Sequence, residues 1–282
     1  MTEQLQKKVN FAIKLLRSIP QDKGDIELCY SGGKDSDVIL ELAKMAEIPF
    51  RAIYKSTTID PPGTIAHCKE NGVEIVRPKK SFFQLIRENG MPSRFIRNCC
   101  EVLKEYKICD TAIVGIRRSE SKKRAERYKE PERCYVYRNK EKVRQYFPIL
   151  EWDSQDVEEF ITERNIKVHP LYYDENGKLD VTRRLGCLGC PLASRKKRIE
   201  VFKKYPKMLK LWIAAQNEWL KNHTNSVRYI MTNGNPYENM FFTLFCENAE
   251  QLQALKGGGL FPELELNFKE YLENYFNIDL TL

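Results

Sequence analysis

One hexapeptide, Ser31-Gly32-Gly33-Lys34-Asp35-Ser36, constrains most of what this chain can become. An apolar run from Ile26 to Tyr30 leads into it, and Val38, Ile39, Leu42 and Ala43 follow at helical spacing. The hexapeptide is therefore the turn of a strand–turn–helix unit. Gly32 and Gly33 let the backbone bend tightly and leave no Cβ between chain and ligand. The free N–H groups at a helix start favour an anion. Ser31 and Ser36 add hydroxyl donors, and Lys34 adds a point positive charge. The turn reads as a phosphate cradle. It is not a Walker A loop, which needs four residues between its glycine and Gly-Lys.

The rest of the chain repeats the alternation. Residues 3 to 18 have a helical apolar face (Leu5, Val9, Ala12, Ile13, Leu16). Strands are expected at Phe50 to Lys55, Val73 to Arg77 and Thr111 to Ile116, with helices near Phe82 to Arg87 and Arg94 to Lys104. Short strand-like pieces follow at Arg133 to Arg138 and Tyr146 to Leu150, then a helix from Asp153 or Ser154 through Glu163. Alternating strands and helices with short connections predict an α/β fold, a doubly wound and mostly parallel sheet with helical C-terminal additions. The expected organisation is an N-terminal helix (1–24), a nucleotide-binding α/β domain carrying a cysteine cluster (25–192), a helical extension (193–256) and a tail helix (257–282). Gly257-Gly258-Gly259 marks a flexible joint, beyond which Phe268, Tyr271, Leu272 and Tyr275 form an amphipathic helix that docks back or meets a partner. The extension holds a basic helix, Arg195 to Lys204, and an aromatic one with Met208, Leu211, Trp212, Ala215 and Trp219 inward.

Ligands of open α/β sheets sit at the carboxyl ends of the strands. That rule places Thr57, Thr58 and Asp60, after the second strand, beside the cradle. It also places Arg117 and Arg118, in the run Gly115-Ile116-Arg117-Arg118-Ser119-Glu120-Ser121, on the same edge. The chain has no 18-residue apolar run and its first residues have no signal-like apolar stretch, so a cytoplasmic protein without a membrane span is expected. Nine cysteines in such a chain point to metal or catalysis rather than disulfides. Four of them are patterned: the adjacent pair Cys99-Cys100, and Cys187-x-x-Cys190 in a glycine-rich loop. Adjacent helical residues point about 100° apart, which is awkward for one small tetrahedral ion. A cubane offers each thiolate its own iron, so the arrangement favours a [4Fe–4S] cluster, with zinc as the alternative occupant. Cys29 reads as core, and Cys68, Cys109 and Cys134 have no partner pattern. His67, His169 and His223 are scattered with no ligand spacing.

The Ser-Gly-Gly-Lys-Asp-Ser turn resembles the PP-loop of the ATP pyrophosphatase (adenine nucleotide alpha hydrolase) superfamily. Within it, the chain is similar to the phosphoadenosine phosphosulfate reductase family over about residues 26 to 220. That similarity is carried by the turn, Thr57-Thr58-Ile59-Asp60-Pro61-Pro62, Trp152 to Val157, Gly115 to Ser121 and Gly186-Cys187-Leu188-Gly189-Cys190-Pro191. The ATP pyrophosphatase of DNA phosphorothioation systems looks like a larger relative. The resemblance implies that Ser31 to Ser36 grip the β and γ phosphates of ATP. Lys34 would neutralise departing pyrophosphate, Asp35 would help place Mg²⁺, and Arg117 and Arg118 would hold the α phosphate. It also implies Cys99, Cys100, Cys187 and Cys190 as cluster ligands.

Two departures bear on the reaction. The cysteine-bearing tail with which true reductases attack their substrate has no match here, since no cysteine follows Cys246. The cradle is also complete, which suits ATP better than a phosphosulfate. The expectation is therefore adenylation of a substrate oxygen with release of pyrophosphate, after which a sulfur carried on or near the cluster displaces AMP. Arg183-Arg184 and Arg195 to Arg198, with nearby aromatics, make nucleic acid a candidate substrate, and a sulfur donor or reductant protein is an expected partner. Two other readings stand beside this one. The first is a phosphosulfate reductase using Cys246 or a partner's thiol. The second is a cluster-bearing nucleotide or nucleic-acid sensor without turnover.

Overall fold

The computed structural model describes residues 1–22, 24–246, 248–256 and 266–282; the triple glycine Gly257-Gly258-Gly259 lies outside the described residues. In chain order the helices are α1 (Glu3–Arg17), α2 (Lys34–Ala46), α3 (Thr64–Glu70), α4 (Phe82–Asn89), α5 (Asn98–Leu103), α6 (Lys122–Arg127), α7 (Ser154–Glu163), α8 (Arg195–Lys204), α9 (Pro206–Asn222), α10 (Val227–Thr232), α11 (Pro236–Phe245), α12 (Ala249–Lys256) and α13 (Phe268–Phe276). The strands are β1 (Ile26–Tyr30), β2 (Arg51–Lys55), β3 (Glu74–Val76), β4 (Thr111–Val114), β5 (Glu132–Val136) and β6 (Lys142–Tyr146). The chain divides into two compact units. The first comprises Met1–Pro78 with Glu101–Gly186, and the second comprises Lys79–Cys100 with Cys187–Leu282.

The first unit is built on a six-stranded sheet in the order β3-β2-β1-β4-β6-β5. Every pairing is parallel except the β5–β6 hairpin at one edge. Both faces of the sheet are covered, as a parallel sheet requires. Leu28, Tyr30 and Ile113 enter one apolar cluster, and their strand neighbours Cys29, Ala112 and Val114 enter another. Leu28 lies in register between Ala52 and Ile113. β1, β2 and β3 run outward in one direction and β4 returns on the other side of β1, so strand order reverses between β1 and β4. Such a reversal opens a crevice at the carboxyl ends of the two strands.

Two expected strands moved. The Tyr146 to Leu150 piece is the end of β6 and a turn, because Pro148 cannot continue a ladder. The strand itself is Lys142–Tyr146, whose alternating exposure hides behind Lys, Arg and Gln. The expected strand to Ile116 ends at Val114.

The second unit is helical. α9 packs on α4, α8 and α11, and α13 packs on α11. The buried face of α9 is Leu209, Trp212, Ile213, Ala215, Gln216 and Leu220, so the expected Trp212 and Ala215 do point inward. It is rotated from the expected face: Leu211 is 46% exposed, and Trp219 stacks on His223 at 4.6 Å between ring centroids. α13 does dock back, burying Phe268, Leu272 and Phe276, with Phe268 and Tyr271 against Phe241. The expected helix from Arg94 is shorter and starts at Asn98. Among the described residues no helix is long and apolar enough to cross a membrane.

Candidate active site

The hexapeptide folds as its composition requires. Gly32 has φ +74°, and a Cβ there would lie 2.9 Å from Thr64 Cγ2 and 3.4 Å from Leu185 Cδ2. Only glycine adopts that backbone without strain and admits those neighbours. Gly33 is the N-cap of α2 and makes no side-chain cap; the Ser36 N–H donates to the Gly33 carbonyl at 2.8 Å, and the Lys34 N–H donates to the Tyr172 hydroxyl. The loop is braced from within. Ser36 Oγ donates to the Gly33 carbonyl at 2.6 Å, Ser31 Oγ lies 3.2 Å from Ser36 Oγ, and the Gly33 N–H donates to Ser31 Oγ at 3.3 Å. Gly115, just past β4, lets that strand approach α2: a Cβ there would meet the Asp35 carbonyl at 3.1 Å.

The charges of the crevice meet at Asp35. Arg117 Nε donates to its Oδ1 at 2.7 Å, and Lys34 Nζ lies 3.1 Å from its Oδ2. Lys34 and Arg117 are only 4% and 3% exposed, so this cation–carboxylate–cation chain is held in a low dielectric, where charges act strongly. Arg117 Nη1 also donates to Ser119 Oγ, which donates to the Trp152 carbonyl at 2.9 Å. The site residues named from sequence thus divide. Ser31 to Ser36 and Arg117 come together at the β1–β4 reversal. Arg118 turns elsewhere: Nε donates to the Tyr128 carbonyl at 2.7 Å, Nη2 donates to the Lys129 carbonyl, and Nη1 pairs with Glu151. Asp60 is occupied in shaping its own turn, accepting from Ser56 Oγ at 2.8 Å, from the Thr57 N–H at 3.0 Å and from the Thr57 hydroxyl. That turn sets Thr57 buried and Thr58 exposed, the latter at φ +64°, at the carboxyl end of β2.

A second layer supports the loop, and sequence reasoning missed it. Asp37, 3% exposed, accepts from the Tyr30 hydroxyl and from His67 Nε2 at 2.9 Å. Asn71 Nδ2 approaches His67 Nδ1 at 3.4 Å. Burial raises the Asp37 carboxyl above its usual range, and the His67 bond opposes that rise. Burial, then the Asp37 charge, raises the Tyr30 phenol. His169 Nδ1 accepts from the Leu171 N–H at 3.1 Å, leaving the Nε2 proton for Thr64 Oγ1 at 3.3 Å. Burial, then the His67 charge, lowers the His169 imidazole. Tyr172 stands beside Gly33, its ring 5.4 Å from Lys34 Nζ. Burial pushes its phenol up to about 12, against N–H groups of Lys34 and Leu185 that it accepts. The one available signal was that Asp37 and Tyr30 flank the hexapeptide; His67 and His169 gave none.

The four patterned cysteines all fall in the second unit. Cys99 and Cys100 stand at the first turn of α5. The Cys187 loop closes with the Cys190 N–H donating to the Cys187 carbonyl at 3.2 Å. Gly189 has φ +78°, and a Cβ there would sit 2.7 Å from Phe202 Cζ, so glycine lets the loop lie on the aromatic core. Arg94 ties the loop down through the Pro191 and Ala193 carbonyls, both at 3.4 Å. All nine cysteines are free of disulfides, and these four are half-buried. The thiols act on one another. The Cys99 thiol is raised by its bond with Cys100, then by burial and the charges of Cys100 and Cys187. Cys190 is raised by burial first, with Cys187 and Cys100 adding to it. Among the described residues no His, Cys, Asp and Glu side chains form a ready ligand set for a single ion.

A model of the phosphoadenosine phosphosulfate reductase domain matches residues 25–193. The chain belongs to this family. Among curated relatives, it is 29% identical over 226 residues to the uncharacterized protein MJ0973 of Methanocaldococcus jannaschii, covering 75% of this chain and 52% of that one. It is 26% identical over 209 residues to sulfate adenylyltransferase subunit 2 of Shewanella frigidimarina, covering 57% of this chain and 65% of that one. The chain spans about half the length of the first curated relatives it matches. Among solved structures, a phosphoadenylyl-sulfate reductase from Candida auris is 15% identical, covers 67% of this chain and 97% of that one, and superposes with a TM-score of 0.44.

Proposed function

We propose that this family member is a PP-loop ATP pyrophosphatase that transfers AMP to an oxygen of its substrate and thereby prepares that oxygen for displacement by sulfur. The observation that carries the reading is the Lys34–Asp35–Arg117 chain at the β1–β4 reversal, beside a glycine-capped helix start. ATP presents its β and γ phosphates to the N–H groups of the first α2 turn, with Ser31 and Ser36 as side-chain donors and Lys34 drawn from Asp35 onto the pyrophosphate. Arg117, entering from β4, is set to meet the α phosphate, where negative charge builds as the substrate oxygen attacks. Asp35, released from its two cations, is free to help place Mg²⁺. The α-phosphorus–oxygen bond to pyrophosphate breaks, and one to the substrate oxygen forms. A relative named sulfate adenylyltransferase subunit 2 supports this polarity of transfer.

Cys99, Cys100, Cys187 and Cys190 would hold a [4Fe–4S] cluster. Such a cluster supplies electron transfer and sulfur ligation. The chain's own contribution is to lay the Cys187–Cys190 loop on Phe202 through Gly189 and to tether that loop through Arg94. Nucleic acid as the acceptor, and a separate sulfur donor or reductant, belong to the same proposal; the exposed Arg195, Lys196 and Lys197 at the start of α8 support the former. The reductase reading gains nothing from Cys246, which is buried with its thiol raised, whereas a sulfur nucleophile needs an accessible thiolate. The test is product analysis after incubation with Mg-ATP and with doubly labelled nucleotide. AMP and pyrophosphate, lost in Lys34→Met, are expected. ADP and phosphate, or turnover indifferent to Lys34, would sink the proposal.

A further inference from the structure

The second unit holds a cavity of about 630 Å³ that the proposed reaction does not use. Its size suits a small molecule. Four guanidinium groups line it from separate segments: Arg94 before α5, Arg195 and Arg198 from α8, and Arg228 from α10. No Asp or Glu is among its described lining residues. Arg198 is 5% exposed, and among the described residues only its Nη1 has a partner, the Thr243 carbonyl at 3.4 Å. Its Nε and Nη2 are buried without one. Buried donors are nearly always satisfied, and a charged one costs most when it is not. Arg228 lies over the Phe242 ring at 5.2 Å, and its Nη1 reaches Asn239 Oδ1 and Thr243 Oγ1, both at 3.3 Å. Phe242, Pro92 and Pro191 are among the remaining lining residues, so the cavity pairs a cationic lining with an apolar one; Phe95, at its rim, is 96% exposed.

We propose that this cavity binds a small phosphorylated organic molecule, its phosphate oxygens taken by Arg198 and Arg228 and its organic part by the phenylalanine and proline wall. The buried Arg198 and half-buried Arg228 face one space, where two cations drawn from water oppose each other unless an anion sits between them. The planar guanidinium fork matches phosphate oxygens two at a time. Arg228 has only neutral printed partners, Asn239, Thr243 and Phe242. The site differs in kind from the loop at α2, which offers backbone N–H groups and one lysine.

The test uses the full chain with the α2 loop weakened by Lys34→Met, and inorganic pyrophosphate without Mg²⁺ as probe, read by calorimetry. Binding is expected, weakening on the order of tenfold in Arg228→Gln and again in Arg195→Glu, and falling with added salt. Arg195 is exposed, so its reversal leaves the helical core intact and decides the matter where Arg228→Gln does not fold. No heat with pyrophosphate, or an affinity indifferent to Arg195→Glu, overturns the proposal. So does a single-stranded oligonucleotide that binds in an Arg195-dependent way where pyrophosphate does not, since the site would then be one for nucleic acid.

Discussion

Gly32→Ala separates the two reasons for a glycine in the loop. At φ +74° an L side chain costs about 1–2 kcal/mol, part of which is offset by a stiffer unfolded chain. The new Cβ would also lie 2.9 Å from Thr64 Cγ2. Thr64 is β-branched and 1% exposed, so it has little room to yield, and overpacking adds about 1–3 kcal/mol. Gly72 is the internal control: it has φ +68°, and nothing lies within 4 Å of where its Cβ would stand. Gly72→Ala therefore carries the backbone strain alone, about 1 kcal/mol net. Urea unfolding should place Gly32→Ala about 2–4 kcal/mol below the parent and clearly below Gly72→Ala. Thr64→Ser removes Cγ2 and keeps the hydroxyl that meets His169. Combined with Gly32→Ala, it should recover about 1 kcal/mol or more relative to additivity, and part of the lost Mg-ATP affinity. Equal losses at Gly32 and Gly72, with no coupling to Thr64, would refute the close-approach argument.

Three further outcomes follow from the geometry. Arg117→Ala should lower AMP-forming turnover by about 10²–10³, while Arg118→Ala, which cuts ties to Tyr128, Lys129 and Glu151, should leave turnover far nearer the parent's; equal losses would return Arg118 to the site. His169 is fully buried with its imidazole depressed below the usual 6.5, so the unfolded chain takes up a proton first as pH falls. Its stabilising contribution is whole above 6.5 and is lost as pH drops through the depressed value. Thermal melts of the parent should therefore weaken on acidification more than those of His169→Asn, and parallel profiles would contradict this. Protein kept anaerobic should hold about four irons per chain, most of them lost in Cys187→Ser; zinc as the sole metal would remove the cluster from the account.

The sheet and the loop were legible because their signals are local. An apolar pentapeptide, two glycines and a helical repeat specify one strand–turn–helix, and the rule for strand ends then located Arg117 without any contact being known. What was hidden depends on long-range packing. The direction of the Arg118 side chain is set by carbonyls at Tyr128 and Lys129, and nothing in Gly115 to Ser121 records them. The Asp37–His67–Tyr30 layer joins three segments that share no spacing. β6 escaped notice because its alternation sets exposed Lys142 and Arg144 against buried Val143 and a polar Gln145, on an edge hairpin. The face of α9 turned away from Leu211 because the helix meets α4, α8 and α11 at once.

The claim that the bend after β1 receives the triphosphate end of ATP is tested most directly by a crystal structure of the chain with Mg²⁺ and a non-hydrolysable ATP analogue. The β and γ phosphates should lie over the first N–H groups of α2, with Lys34 moved from Asp35 onto them and the α phosphate beside Arg117. An analogue bound elsewhere, with the Lys34–Asp35–Arg117 chain unchanged, would contradict it.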